Sequence, residues 1–300
     1  AVDPASSAGY LSLSLARQAE FDLDGALTAA RQATERDPGN VRALVQEGSL
    51  LFGMGQLKAA IKVAKQAQRQ APDDAMVNTL WGFLELAHMR TDQAQVAFRA
   101  AVAQDSTLGL PHLGLGLSLF RQNRIEAALL ELRQAALLEP LVSLYNSYLG
   151  KGFYEVKDDR RAKKYLELAK QLDPRDPTPW LYDAIRLQSI NQPGEALDNV
   201  QRSIDLNDNR AVYRSKLLLD DDLATREASQ AGIYANLGFE QVAQEKATQS
   251  LSYDPTNYSA HRFLSDSYAG RPDYEIAQVS ELLQAQLLQP VNINPLQPSL

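Results

Sequence analysis

The sequence predicts an all-α fold, a right-handed superhelical solenoid of antiparallel helix pairs. Pro38, Pro72, Ser106, Pro140, Pro174 and Asp208 recur at a constant step of 34 residues. Ala26, Ala60, Ala94, Ala128, Ala162 and Ala196 recur at the same step and in the same phase. Within a unit, small residues such as Ala26, Ala30 and Ala33 stand four and three apart, which puts them on one helical face. A turn-forming residue and a packing residue kept in one register define a stacked array, in which each unit is too small to bury a core alone.

Taken in order, residues 1–6 are a short polar lead and residues 7–210 hold six contiguous units. In the first, Tyr10 and Leu13 share a face, and Asp22 or Asp24 stands ready to cap a second helix. Asp37, Pro38, Gly39 and Asn40 stop that helix, since Pro cannot continue it and Gly-Asn favours a turn. The second unit repeats this with Leu44, Gly48 and Leu51, then a turn at 53–56, then Ala60, Ala64 and Ala67. The third has Trp81 and Gly82, then Ala94, Phe98 and Ala101. The fourth opens on Pro111, which suits a first helical turn, and continues through Gly116, Ala128, Leu132 and Ala135. The fifth has Leu149 and Gly150, then Ala162, Leu166 and Ala169. The sixth has Trp180, Ala184 and Leu187, then Ala196, Val200 and Ser203.

These residues resemble the tetratricopeptide repeat, whose pattern is a Trp-like residue, Leu-Gly, a Tyr-like residue, then Ala, a Phe-like residue, Ala and Pro. The resemblance spans about residues 7–289. It implies that the glycine of each first helix and the first alanine of each second helix sit where the helices cross closely. The register then slips. The next match has Tyr234, Ala243, Ala247 and Pro255, which leaves an insertion at 211–223. That segment is expected either to dock on the preceding unit through Tyr213 and Leu217 or to present a contact surface. Residues 224–289 read as a seventh unit and an atypical capping pair facing water. Ile276, Val279, Leu283 and Leu287 lie at helical spacing in its last helix. Residues 290–300, with three prolines, read as an extended tail.

Bulk properties narrow the function. A chain that is 45% hydrophobic and 22% charged is ordinary for a soluble folded protein. A net charge of -7 with scattered Lys and Arg argues against nucleic acid or anionic lipid. The absence of cysteine removes disulfides, thiolate metal sites and cysteine nucleophiles. No stretch approaches the ~20 apolar residues of a membrane helix. A chain starting at Ala1 reads as a processed or excised piece. His88, His112 and His261 fall at unrelated points, none with a second histidine at ligand spacing, so packing or exposed roles are expected. Glycines 114 and 116 sit mid-helix and do not form a phosphate loop. The acidic run Asp220, Asp221 and Asp222 reads as the cap of a helix beginning at Leu223. Neither catalysis, a metal nor a cofactor is expected.

The resemblance places groove-facing residues two, five, nine and twelve places into each unit. These include Leu11 and Leu15, then Arg42, Val45, Ser49 and Phe52, then Met76, Phe83 and Leu86. Leu110, Leu113, Leu117 and Phe120 follow, with Tyr154 beyond. The Lys, Asn and Arg clamp that holds chaperone carboxylates in some members is missing: Leu11, Leu15, Ser49, Met76 and Leu80 stand there. What remains is an apolar strip, expected to be an exposed groove for a protein or peptide partner, with 42–120 as its centre. The bland alternative is that these side chains pack within their own units. The stretch through Tyr213, Tyr258, His261, Phe263 and Tyr274 is similar to the end of the periplasmic repeat region in large bacterial outer-membrane barrel proteins. That similarity implies a periplasmic scaffold in an envelope assembly. The alternatives are a regulatory module of an enzyme such as a glycosyltransferase, a polysaccharide-export module, a self-assembling scaffold, or a cytoplasmic location. Oligomeric state is left open.

Overall fold

The structure, a computed structural model, describes residues 6–209, 212 and 219–289, with the backbone alone at 219–222. Among the described residues every regular element is helical. The first helices are α1 (Ser7–Ala19), α3 (Val41–Gly53), α5 (Ala75–Ala87), α7 (Gly109–Arg121), α9 (Ser143–Glu155) and α11 (Pro177–Ser189). The second helices are α2 (Leu23–Arg36), α4 (Leu57–Gln70), α6 (Thr91–Gln104), α8 (Ile125–Leu138), α10 (Asp159–Leu172) and α12 (Pro193–Asp205). Both sets start at steps of 34 residues. Beyond them come α13 (Leu219–Asn236), α14 (Glu240–Tyr253), α15 (Tyr258–Tyr268) and α16 (Glu275–Leu288). The insertion at 211–223 and the tail at 290–300 lie largely outside the described residues. The helix expected at Leu223 begins at Leu219, so the three aspartates occupy its first turn instead of preceding it.

The chain forms two compact units, 1–182 with 208–217 and 183–207 with 218–300. In the first unit, the spacing series become packing. Ala26, Ala60, Ala94, Ala128 and Ala162 have no exposed surface, and neither do Ala33, Ala67, Ala101, Ala135 and Ala169. The glycines opposite are needed for close approach. A Cβ on Gly48 would fall 2.7 Å from Leu80, and one on Gly150 would fall 2.7 Å from Leu166. Phe98 is fully buried between two glycines: a Cβ at Gly82 would stand 2.5 Å from its ring and one at Gly114 2.3 Å. Gly114 and Gly116 are therefore packing residues.

One turn joins each first helix to its second. Phe21, Gly55, Met89, Asn123, Lys157 and Asn191 all have φ between 56° and 77°, again 34 residues apart. The next backbone N–H reaches back to close the helix end, as in Gln56 N–H to the Leu51 carbonyl and Arg90 N–H to the Glu85 carbonyl. This is the left-handed C-terminal motif that usually selects glycine. Here only Gly55 supplies one, so cap hydrogen bonding holds the other five residues in an unfavoured region.

Several first helices are also tied to the turn before them. Asn78, Asn146 and Trp180 donate a side-chain N–H to the carbonyls of Pro72, Pro140 and Pro174, at 2.9, 2.9 and 3.3 Å. In the second unit His261 Nε2 makes the same contact with the Pro255 carbonyl at 2.9 Å. At this Trp-like position Asn, His and Trp can interchange because each offers a side-chain N–H on a flat group, whereas Leu44 in the second copy makes no such bond.

The second unit buries Ala231, Ala247 and Leu264, but also more polar side chains. Asp183 and Arg186, each 2% exposed at the side chain, pair at 2.6 Å, and Asn199 donates to Asp183 at 3.0 Å. Arg226 is fully buried, donating to Ser203 at 2.9 Å and to Asn207. These hydrogen bonds offset part of the cost of burying the charges.

Candidate functional site

The open concavity of the first unit is a cleft of about 530 Å³ built by α1, α3 and α5 with the turns before α5 and α7. Its walls are Leu11, Leu15, Val41, Arg42, Val45, Ser49, Ala75, Met76 and Leu108. Leu15 is 51% exposed and Met76 39%, which marks an apolar surface open to solvent. Gln46 and Gln104 line it too, but both are fixed by the scaffold. Gln46 donates to Gln18 at 2.8 Å, and Gln104 accepts from Asn78 at 3.0 Å.

Carboxylates rim one end. Asp73, Asp74 and Asp105 come from the two turns. Asp74 accepts from the Met76 and Val77 N–H groups at 2.8 and 3.0 Å, capping α5. Asp105 accepts from the Thr107 hydroxyl at 2.6 Å and its N–H at 2.9 Å, and these bonds hold its carboxyl below the usual range. Each cap uses one oxygen and leaves the second for a ligand. Arg42 makes no ion pair among the described residues, so the cleft offers three carboxylates and one guanidinium around an apolar floor.

The expected apolar strip is not continuously exposed. Val45, Leu86 and Leu113 are buried at 6, 9 and 2% exposure. Phe52 packs on the Leu50–Leu80 core. Phe83 and Leu117 pack around Phe98, with Phe83 edge-on to its ring at 5.0 Å. Leu110, Phe120 and Tyr154 pack against the cluster of Leu129, Leu132 and Tyr148. The cause is that consecutive first helices touch: α1 on α3, α3 on α5, and α5 on α7. That contact covers Val45 and Leu113 at the fifth position and Leu86 at the twelfth. Arg42 and Met76 stay exposed and Ser49 half-buried, and these three line the cleft with Val45, while Phe52, Phe83, Leu110, Leu117, Phe120 and Tyr154 are half-buried against the core.

Two features escaped the sequence reading. The aspartates of the rim come from turns, which appeared there only as helix stops, although Asp73, Asp74 and Asp105 adjoin the Pro72 and Ser106 markers. Further along, Lys151 lies 4.4 Å from the Phe120 ring centre and 5.7 Å from that of Tyr182, and it pairs with Glu155 at 3.0 Å. This cation caps the packed aromatic region and is itself satisfied. The histidines are engaged structurally. His112 Nδ1 meets Glu131 at 2.7 Å, His261 Nδ1 meets Glu281, and His88 Nδ1 meets the Leu84 carbonyl at 2.8 Å. Among the described residues, no three His, Asp or Glu side chains converge as a metal site, and no helix is long and apolar enough to cross a membrane.

The helix pairs, their shared turn and the cleft on their first helices define a helical-repeat protein. Residues 18–80 match the sequence profile of the tetratricopeptide repeat, and the chain carries that repeat and its all-α solenoid fold. The chain superposes on a chain of the APC/C hetero-tetramer Cut9-Hcn1 with a TM-score of 0.77 at 17% identity, covering 90% of this chain and 51% of that one. It spans about half the length of that relative. It also superposes on pilF of Pseudomonas aeruginosa (TM-score 0.54, 21% identity, 77% and 99% covered). A third relative is TTC0263, a tetratricopeptide protein of Thermus thermophilus (TM-score 0.54, 19% identity, 61% and 100% covered). No curated protein matches the sequence.

Proposed function

We propose that the chain is a non-enzymatic scaffold that takes a segment of another protein into the cleft between Leu11 and Leu108. The observation that carries this is the cleft itself: Leu15 and Met76 stand exposed on a helical floor beside Asp74, fixed as the cap of α5, and Asp105, held by Thr107. A segment with one or two apolar side chains and a nearby Lys or Arg would complement it. The apolar part supplies binding, and the rim sets orientation. The tetratricopeptide fold supports a scaffold role in general terms. We place the scaffold in a bacterial envelope assembly, on the periplasmic side. The support is the similarity of the stretch through Tyr213, Tyr258 and Tyr274 to repeat regions that precede outer-membrane barrels.

Capture from an envelope extract tests both parts, with Leu15→Asp/Met76→Asp as control. Both side chains are exposed, so the variant should keep its helix content and melting temperature. Loss of the captured protein with the variant supports the cleft. Undiminished capture by the variant, or capture only from a cytoplasmic extract, overturns the cleft or the location respectively.

A further inference from the structure

The last helix is apolar where earlier second helices are polar. Leu283 is the ninth residue of α16, and the ninth residues of α2 to α12 are Arg31, Lys65, Arg99, Arg133, Glu167 and Gln201. Ile276 is the second residue, where Asp24, Lys58, Asp92, Glu126 and Arg160 stand in the first five copies. The result is a stripe of Ile276, Val279, Leu283 and Leu287 at 89, 64, 52 and 70% exposure. Spacings of three, four and four put all of them on one face. The opposite face holds the helix in place: Ala285 is buried at 5%, and Glu281 meets His261 of α15. A helix side that meets only water is ordinarily polar, and this one is not.

We infer that the stripe is a self-association face, seating α16 of a second copy of this chain. The occupant must be apolar along about 16 Å of helix, at 1.5 Å per residue. It must also bring no charge into the seam, because the stripe is bordered by Ser280, Gln284 and Gln286, and the helix carries only Glu275 and Glu281. A second copy meets both conditions with the identical surface, as a two-fold interface requires. Spacing of three and four is that of paired-helix seams. Antiparallel crossing keeps the two Glu275 side chains at opposite ends, so the acidic chain meets itself where it is neutral. Two such stripes bury on the order of 1,000 Å², the low end for a specific interface, which makes the dimer reversible and concentration-dependent.

Sedimentation of the intact chain between about 1 and 200 µM should show the mass rising from monomer toward dimer. Ile276→Glu/Leu283→Glu should remain monomeric with unchanged circular dichroism. Because the chain has no cysteine, Ser280→Cys adds a single thiol beside the seam. Mild oxidation should link it into a dimer, and should leave Gln134→Cys on the exposed side of α8 unlinked. The proposal is overturned if the intact chain stays monomeric throughout, or if the double variant still dimerises. It is overturned equally if association appears only after Val291, Ile293 and Leu296 are changed to serine, since the tail would then be the occupant.

Discussion

The first three repeats and the next three share one register, yet the groove they line is open in one stretch and closed in the other. At the second position of the first helices, Arg42 and Met76 are exposed, Leu110 is half-buried, and Leu144 and Thr178 are buried. The fillers of the second helices change too, one copy before the second position begins to close. Ala30 and Ala64 in the first two copies give way to Phe98, Leu132 and Leu166, all without exposed surface. Large fillers draw neighbouring groove side chains into a common core, as Phe98 does with Phe83 and Leu117. The repeat sets backbone placement, and the second position of the first helix, exposed at Arg42 and Met76 and buried at Leu144 and Thr178, marks which stretch stays available to a ligand.

The largest expected effect comes from erasing that difference. Phe98→Ala gives the third copy the filler of the second and should cost about 3–5 kcal/mol, read as a lower denaturation midpoint. A loss under about 1 kcal/mol would show that Phe83 and Leu117 re-pack without it, breaking the account. Next, Phe83→Asp should destabilise by about 2 kcal/mol or more, because the charge enters the cluster around Phe98. Met76→Asp, exposed in the cleft, should stay within about 0.5 kcal/mol of the parent. Equal losses at these two sites of α5 would erase the distinction between its open and its packed groove positions.

A third prediction concerns pH. Asp176, in the closed stretch, has no exposed surface and accepts from the Ser143 hydroxyl at 2.9 Å and the Thr178 N–H at 2.8 Å. Burial pushes its carboxyl above the ordinary range, ahead of the lowering by those bonds. The folded state therefore holds the proton more tightly than the unfolded chain. The stability this gives is present below the unfolded pKa and lost as pH rises through the folded one. Asp176→Asn should flatten that loss, so parent and variant diverge in melting temperature as the pH rises. Parallel curves would mean Asp176 is ionised without penalty. The smallest effect belongs to the shared turn. Met89→Gly and Lys157→Gly relieve a left-handed backbone and should each stabilise by up to about 1 kcal/mol, alike in both stretches, while Gly55→Ala should cost about as much. Thermal denaturation of the three variants checks this, and unequal gains at 89 and 157 would tie the turn to the packing around it.

The fold was legible in the sequence because burial at a helix crossing follows period alone. Ala128 and Gly116 had to be small wherever their side chains pointed in detail. The cleft was only partly legible. Val45, Leu86 and Leu113 sit at groove positions, but their exposure depends on how closely consecutive first helices approach, which no single unit encodes. The aspartate rim was hidden because Asp74 doubles as the cap of α5 and Asp105 bonds within its own turn. In α16 the stripe of Ile276 to Leu287 was visible as a helical face. Whether it pointed inward was decided by the small Ala285 on the other side, a weaker signal than four large residues.

The recurrent left-handed turn has a genetic consequence. Every copy from the first to the sixth leaves its first helix through the same backbone geometry, whatever side chain stands there. An exchange that rejoins the chain one period later, for instance from Asn40 to Asp74, removes a complete copy yet leaves both new neighbours with a junction they already had. Gain or loss of whole copies by recombination would thus lengthen or shorten the cleft in fixed steps, without requiring new contacts to evolve first.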